Sequence, residues 1–254
     1  MIHHDKKSAI QTMLQVLAAD LSCDEDDLLT EGVFVYKDEY KEGRFRFPVR
    51  EKSLNIVTMG KGVVVSCDSG RREWVVQNLA HLTRSEIFSM PTLAKIQDYV
   101  RIDNQMLAGP DQKYVCTYRD LRKFAVPREI TVSTYTRDKI MALYGYASEF
   151  KHALSYQPDH ARPDMLATVA FCNGRVVGIA GASADCELMW QIGVDVLPEY
   201  QGLGIGKALV GTLTKAVLEK GVLPYYSTEV SHLQSRQLAV SLGYWPAWVQ
   251  LYAR

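Results

Sequence analysis

Val194-Asp195-Val196-Leu197-Pro198-Glu199-Tyr200-Gln201-Gly202-Leu203-Gly204-Ile205-Gly206-Lys207-Ala208-Leu209 reads as a strand that runs into a glycine-rich turn and opens a helix. Three glycines in five residues let the backbone adopt unusual dihedrals and come close to a ligand. A helix start leaves its first N–H groups without intrahelical partners and carries roughly half a positive charge. Together these features make a cradle for phosphate. The helix that follows is amphipathic, with Ile205, Leu209, Leu213, Ala216 and Val217 on one face. Gly221 is placed to end it.

Spacing narrows the ligand. A Walker loop needs glycine five residues before the Gly-Lys pair and Ser or Thr after it. Here Gly206-Lys207 has Gln201 at that distance and Ala208 behind it. A dinucleotide fingerprint, G-x-G-x-x-G, needs a third glycine where Lys207 or Leu209 stands. Both nucleotide readings fail.

Outward from this segment, residues 129–254 alternate strands and helices. Strands are expected at Ile130–Tyr135, Met165–Cys172, Val176–Ala182, Leu188–Val196 and Tyr225–Val230. Asn173-Gly174 marks a tight hairpin turn. Helices are expected at Arg137–Tyr144, Ala147–Tyr156, Gly202–Lys220 and Ser235–Ser241, followed by an aromatic-rich tail. The first half is also α+β. A helix is expected at Ser8–Leu21, with Ser8 and Gln11 as a capping box. The acidic run Asp24–Asp27 suits a helical turn. Val33–Tyr36 and Arg44–Phe47 read as strands, as do Leu54–Thr58 and Val63–Ser66 around Gly60-Lys61-Gly62. Gly70–Leu82 and Thr92–Ile102 read as helices, and Lys113–Tyr118 as a strand. The charged stretch 119–128, ending in Val126-Pro127, is the expected boundary: an N-terminal α+β domain at 1–125 and a second domain at 126–254.

Composition removes other classes. The 254 residues are 47% hydrophobic and 23% charged, enough for a packed core. The 29 basic and 29 acidic residues cancel, so no field is available for a polyanion, and nucleic acid is not expected as a partner. No run approaches the about 18–20 apolar residues that span a bilayer. The polar start, including His3-His4, lacks a signal-peptide core. The five cysteines are scattered without a C-x-x-C pair. They are expected as buried thiols in a cytoplasmic protein, with no metal site.

Gln201-Gly202-Leu203-Gly204-Ile205-Gly206 resembles the (Gln/Arg)-x-x-Gly-x-(Gly/Ala) signature of the GNAT superfamily of N-acetyltransferases. Val194-x-Val196, Pro198-Glu199-Tyr200 and the Ser235–Leu242 helix closing in Gly243-Tyr244 resemble it too. The resemblance covers the C-terminal half. It implies an α+β fold in which a GNAT-like mixed sheet flanked by helices accompanies a smaller N-terminal α+β domain. It implies acetyl-CoA as cosubstrate, with the pyrophosphate on Gln201, Gly202, Leu203, Gly204, Ile205, Gly206 and Lys207. The pantetheine arm would pair with the strand at Val194 and Val196, with Ser235 nearby. A backbone N–H near Val194 would hold the thioester oxyanion. The acceptor would be an amine of a small molecule or peptide, attacking directly in a ternary complex. Its pocket would be built from loops between Tyr144 and Pro163, the tail, and the N-terminal domain.

The chain departs from the family at the acid–base positions. Trp190 or Gln191 stands where a glutamate is usual, and Ala239 where the helix tyrosine is usual. Glu187, Glu229 and His232 are the candidate substitutes; His232 either moves protons or caps the last helix. One of Tyr225 and Tyr226 should face the cleft and the other the core. Trp245-Pro246-Ala247-Trp248 either walls the acceptor pocket or packs the closing strand. The departures also leave open a non-catalytic acyl-CoA-binding sensor.

Overall fold

The computed structural model describes residues 5–47, 53–154 and 160–254. The paired His3-His4, and Tyr156 and Pro158 of the expected helix and loop, lie outside them. The chain folds as two interleaved compact units. The C-terminal unit holds residues up to Ile10 with Tyr114–Thr228 and His232–Pro246. The N-terminal unit holds Gln11–Lys113, Glu229–Ser231 and Ala247–Arg254. Both are α+β.

In the N-terminal unit, strands β1 (Val33–Lys37), β2 (Leu54–Thr58) and β3 (Val63–Cys67) combine with β10 (Trp245–Ala253) and β4 (Leu107–Val115) in the order β1-β3-β2-β10-β4. β1 and β3 are parallel, whereas β2 is antiparallel to both β3 and β10. β2 and β3 are buried along their whole length, including the polar Asn55, Thr58 and Ser66. Their core includes Val75 of α2 (Arg72–Asn78), Ile87 of α3 (Arg84–Ile87) and Ile96 and Val100 of α4 (Met90–Arg101).

Several local expectations are corrected here. Helix α1 (Lys6–Leu21) starts earlier than Ser8, and Asp5 is its cap: the Asp5 carboxylate accepts from the Ser8 N–H at 2.8 Å. Arg44–Phe47 is not a strand. Arg44 is instead drawn into a buried ion pair with Asp38 at 3.1 Å, and Phe45 stacks on Trp248. The strand expected at Lys113–Tyr118 runs earlier, as β4, and α3 has a Thr83–Glu86 capping box that went unread.

The C-terminal unit has strand order β9-β8-β7-β6-β5. β5 (Ile130–Thr136), β6 (Asp164–Cys172), β7 (Arg175–Ser183) and β8 (Met189–Val196) form an antiparallel meander. β9 (Leu223–Glu229) then pairs parallel to β8. The β6–β7 hairpin turns on Asn173 and Gly174, both at positive φ as that turn requires. One face of the sheet packs under α6 (Ile205–Glu219): Leu166, Ala170, Ala180, Ala182 and Ile192 meet Ile205, Leu209 and Leu213. The other face carries Ala167, Val169 and Ile179 against Ile140, Leu143, Phe150 and Ala153. That second layer is α5 (Arg137–Ile140), a 3-10 stretch at Met141–Tyr146, and turns. The helix expected at Ala147–Tyr156 is absent from its described part, residues 147–154. α7 (Leu233–Ser241) precedes β10.

Candidate active site

β8 and β9 pair only from Met189↔Leu223 to Ile192↔Tyr226. β8 then continues through Gly193, Val194, Asp195 and Val196, held on its far side by β7 as far as Gly178↔Val196. The strands therefore part at the stretch where the sequence expects a pantetheine arm. Beyond it, Leu197 and the 3-10 turn Pro198–Tyr200 lead to the glycine turn. The Gln201 side-chain amide donates to the Val196 carbonyl at 3.1 Å and ties the turn to the strand end. Gly202 and Gly204 take φ of +79° and +83°, the left-handed region that only glycine enters freely. Nothing lies within 4 Å of where their Cβ atoms would be, so the turn presents bare backbone to open space.

Gly204 is the N-cap of α6 and has no side-chain cap; the first intrahelical bond is Ala208 N–H to the Gly204 carbonyl at 3.1 Å. The N–H groups of Gly204 to Lys207 come before that bond and are free of the helix ladder. The first turn of α6 contains no acidic residue. An anion with several oxygens fits this donor set.

A cavity of about 530 Å³ opens here. Val194, Val196, Gln201, Gly202, Gly204, Ile205, Gly206, Lys207 and Ser235 line it, with Tyr226 and His232. Leu203 is not in its wall; it stands 59% exposed at the tip of the turn. The register resolves the two tyrosines. Tyr226 lies on the α6 face, with its hydroxyl 2.9 Å from the Ser235 hydroxyl. Burial pushes its pKa up, so it keeps its proton. Tyr225 lies on the other face and donates to the buried Asp185 and, at 3.0 Å, to the Gln191 side-chain oxygen. Burial and then the Asp185 charge push its pKa far up.

The candidate acid–base residues are scattered. His232 is exposed at the N-cap of α7, where its side chain makes no capping bond. Glu229 ends β9 exposed, and Glu187 is exposed in the turn before β8. At the departure positions, Trp190 and Ala239 belong to the core, whereas Gln191 faces out of it. Trp248 is a core residue stacked on Phe45, and Trp245 donates to Asp120 at 3.2 Å, so both Trp side chains pack.

A second cavity, about 440 Å³, lies on the α5 face, lined by Gln191 and Gly193 of β8, Gly181 and Ser183 of β7, Asp164, and residues 151–154, 160 and 162. Its wall is polar. Asp164 accepts from the Tyr144 hydroxyl at 2.9 Å, and burial followed by that carboxylate pushes the tyrosine pKa up. Asp185 accepts from Ser183 at 3.0 Å, and Arg162 lies 3.8 Å away. The sequence located this wall only as a loop region, because each of its side chains is unremarkable until the strands align. Among the described residues no cluster of three His, Cys, Asp or Glu could hold a metal, and no helix is long and apolar enough to cross a membrane.

Residues 130–244 match the acetyltransferase (GNAT) family. No curated protein sequence matches the chain. Among solved structures, a GNAT-family protein from Novosphingobium aromaticivorans is 15% identical; the match covers 59% of this chain and 66% of that one, with a TM-score of 0.46. A GCN5-related N-acetyltransferase-like protein from Streptococcus suis is 22% identical over 64% of this chain and 68% of that one, TM-score 0.45. This chain thus spans about two thirds of the length of either. An aminoglycoside N-acetyltransferase in complex with CoA is 18% identical over 48% of this chain and 93% of that one, TM-score 0.36.

Proposed function

From the premise that residues 130–244 are a domain of the acetyltransferase (GNAT) family, we propose that the protein moves an acetyl group from acetyl-CoA to an amine by direct attack in a ternary complex. The observation that carries this reading is the glycine turn that opens α6 beside the end of β8 that β9 does not pair. Gly202 and Gly204 through Lys207 supply N–H groups to the pyrophosphate, and Lys207 adds a charge. The β8 backbone at Val194 and Val196 pairs with the pantetheine amides, while the valine side chains stay packed against the core. The N–H near Val194 faces the thioester oxygen as negative charge develops there. The amine enters through the polar 440 Å³ cavity on the other face. We infer that the transferase role belongs to the C-terminal unit and that the N-terminal unit, which includes Ala247–Arg254, has a separate role.

Proton transfer is shared between the two cavities. On the coenzyme side, Tyr226 and His232 line the wall and either can protonate the departing thiolate. Glu229 and Glu187, both exposed, would act only through water. Titration calorimetry with acetyl-CoA, followed by thiol release in the presence of a panel of primary amines, tests the reading. Saturable micromolar binding with amine-dependent release supports it. Absence of binding up to millimolar ligand rejects it. A second reading, an acyl-CoA sensor without turnover, is favoured by Gln191 and Ala239 at the usual acid–base positions; binding without release under any amine would select it.

A further inference from the structure

Asp195 sits between Val194 and Val196, and strand alternation sends its carboxylate to the α5 face, away from the valines. There one oxygen accepts the backbone N–H of His152 at 2.6 Å and of Ala153 at 3.1 Å. The other oxygen lies 2.8 Å from Nδ1 of His152. A carboxylate that only accepts pairs with a hydrogen on Nδ1, and in the neutral imidazole this leaves the lone pair on Nε2. The imidazole is 81% exposed and its residue lines the 440 Å³ cavity.

Its position is fixed from below as well. Gly181 and Gly193 are register partners on β7 and β8. A Cβ on Gly193 would lie 1.9 Å from the His152 carbonyl oxygen, and one on Gly181 1.7 Å from that of Ala153. The bare backbone at this pair lets the 152–153 turn lie directly on the sheet. His152 therefore crosses β8 one residue before Val194, where the thioester is expected.

We propose that His152 is the general base for the acceptor amine and that Asp195 is its positioning residue. This rests on the acetyltransferase reading given above. His152 Nε2 takes a proton from the bound ammonium; the freed lone pair on nitrogen bonds to the thioester carbon, and the proton then left in excess on that nitrogen is lost to water. The carbon–sulfur bond breaks, and the electron pair leaves on the coenzyme sulfur. The two proton sites are then separated by the sheet: His152 on the acceptor face, Tyr226 and His232 on the coenzyme face.

The test compares two primary amines: ethylamine, protonated at neutral pH, and trifluoroethylamine, largely neutral there. His152→Asn keeps an N–H for Asp195 and removes the base. Its rate with ethylamine should fall about 100-fold or more, its rate with trifluoroethylamine only a few-fold, and its acetyl-CoA affinity should be unchanged. In Asp195→Asn, nitrogen NMR of His152 should show loss of the single Nδ1–H tautomer. Equal loss on both amines, or no loss on either, overturns the role of His152 while the acetyltransferase reading stands. If the unaltered protein binds acetyl-CoA yet releases no thiol with any primary amine of the panel, both fall together.

Discussion

Gly193 and Gly174 show how differently two glycines in one meander can matter. Gly174 needs its φ of +80° for the hairpin, but has open space around it. Gly193 has ordinary strand dihedrals and no space at all. Gly193→Ala should destabilise the protein by about 1–3 kcal/mol, as overpacking does, read as a lower urea midpoint with an unchanged slope. Acetyl-CoA affinity should survive it better than turnover, because the clash displaces His152 and not the glycine turn. Gly204→Ala should do the reverse: an L residue at +83° costs about 1–2 kcal/mol, and the methyl group enters the anion cradle, so coenzyme affinity falls first. Asn173-Gly174 and Gly202–Gly206 were legible in the sequence because their meaning is local. Gly193 and Asp195 were not, since a strand glycine and a strand aspartate acquire meaning only when residue 152 is laid over them.

Helix α6 was read nearly whole, from its glycine start to Gly221 at φ +77° beyond its end. One of its residues breaks the rule of helix propensity. Gly211 is mid-helix, where alanine is favoured by about 1 kcal/mol. Yet its missing Cβ would stand 2.5 Å from the Phe124 ring, which lies against the helix there. Gly211→Ala should therefore lose up to about 2 kcal/mol net, and Phe124→Leu in the same chain should recover part of it in denaturant unfolding. The elements misread are those whose local pattern was overruled by burial. Arg44–Phe47 alternates like a strand, but its arginine is held by Asp38 and its phenylalanine by Trp248. Residues 147–154 have helical apolar spacing, but Phe150, Ala153 and Leu154 are pinned to the sheet face, and the Asp195 carboxylate takes the N–H groups of residues 152 and 153.

Across the whole molecule, all five cysteines are buried and unbridged, as their scattered spacing suggested. Burial pushes Cys23 and Cys116 up to about 12 and Cys67 to about 11. A thiol whose folded pKa is raised favours the folded state fully below its unfolded pKa, near 9. That contribution is lost as pH climbs toward 11 or 12, by up to about 1.4 kcal/mol per pH unit for each thiol. Stability measured by denaturant should fall from about pH 9 upward. Replacing Cys116 by Ala should flatten that fall even as it lowers the plateau, and thiol reagents should label the native protein slowly at neutral pH.

The pairing of β10 with β2 joins Val249 to Thr58 and Tyr252 to Asn55, and Gln250 donates to the Asn55 side chain at 2.9 Å. On the ribosome, then, the strands β1-β3-β2 wait for their next neighbour while nearly two hundred further residues are translated. Their apolar β2 edge waits uncovered until the chain behind has emerged. β10 thus reaches the ribosome exit long after the strand it covers, and a stalled or clipped nascent chain would give holdase chaperones a long-lived strand edge to bind.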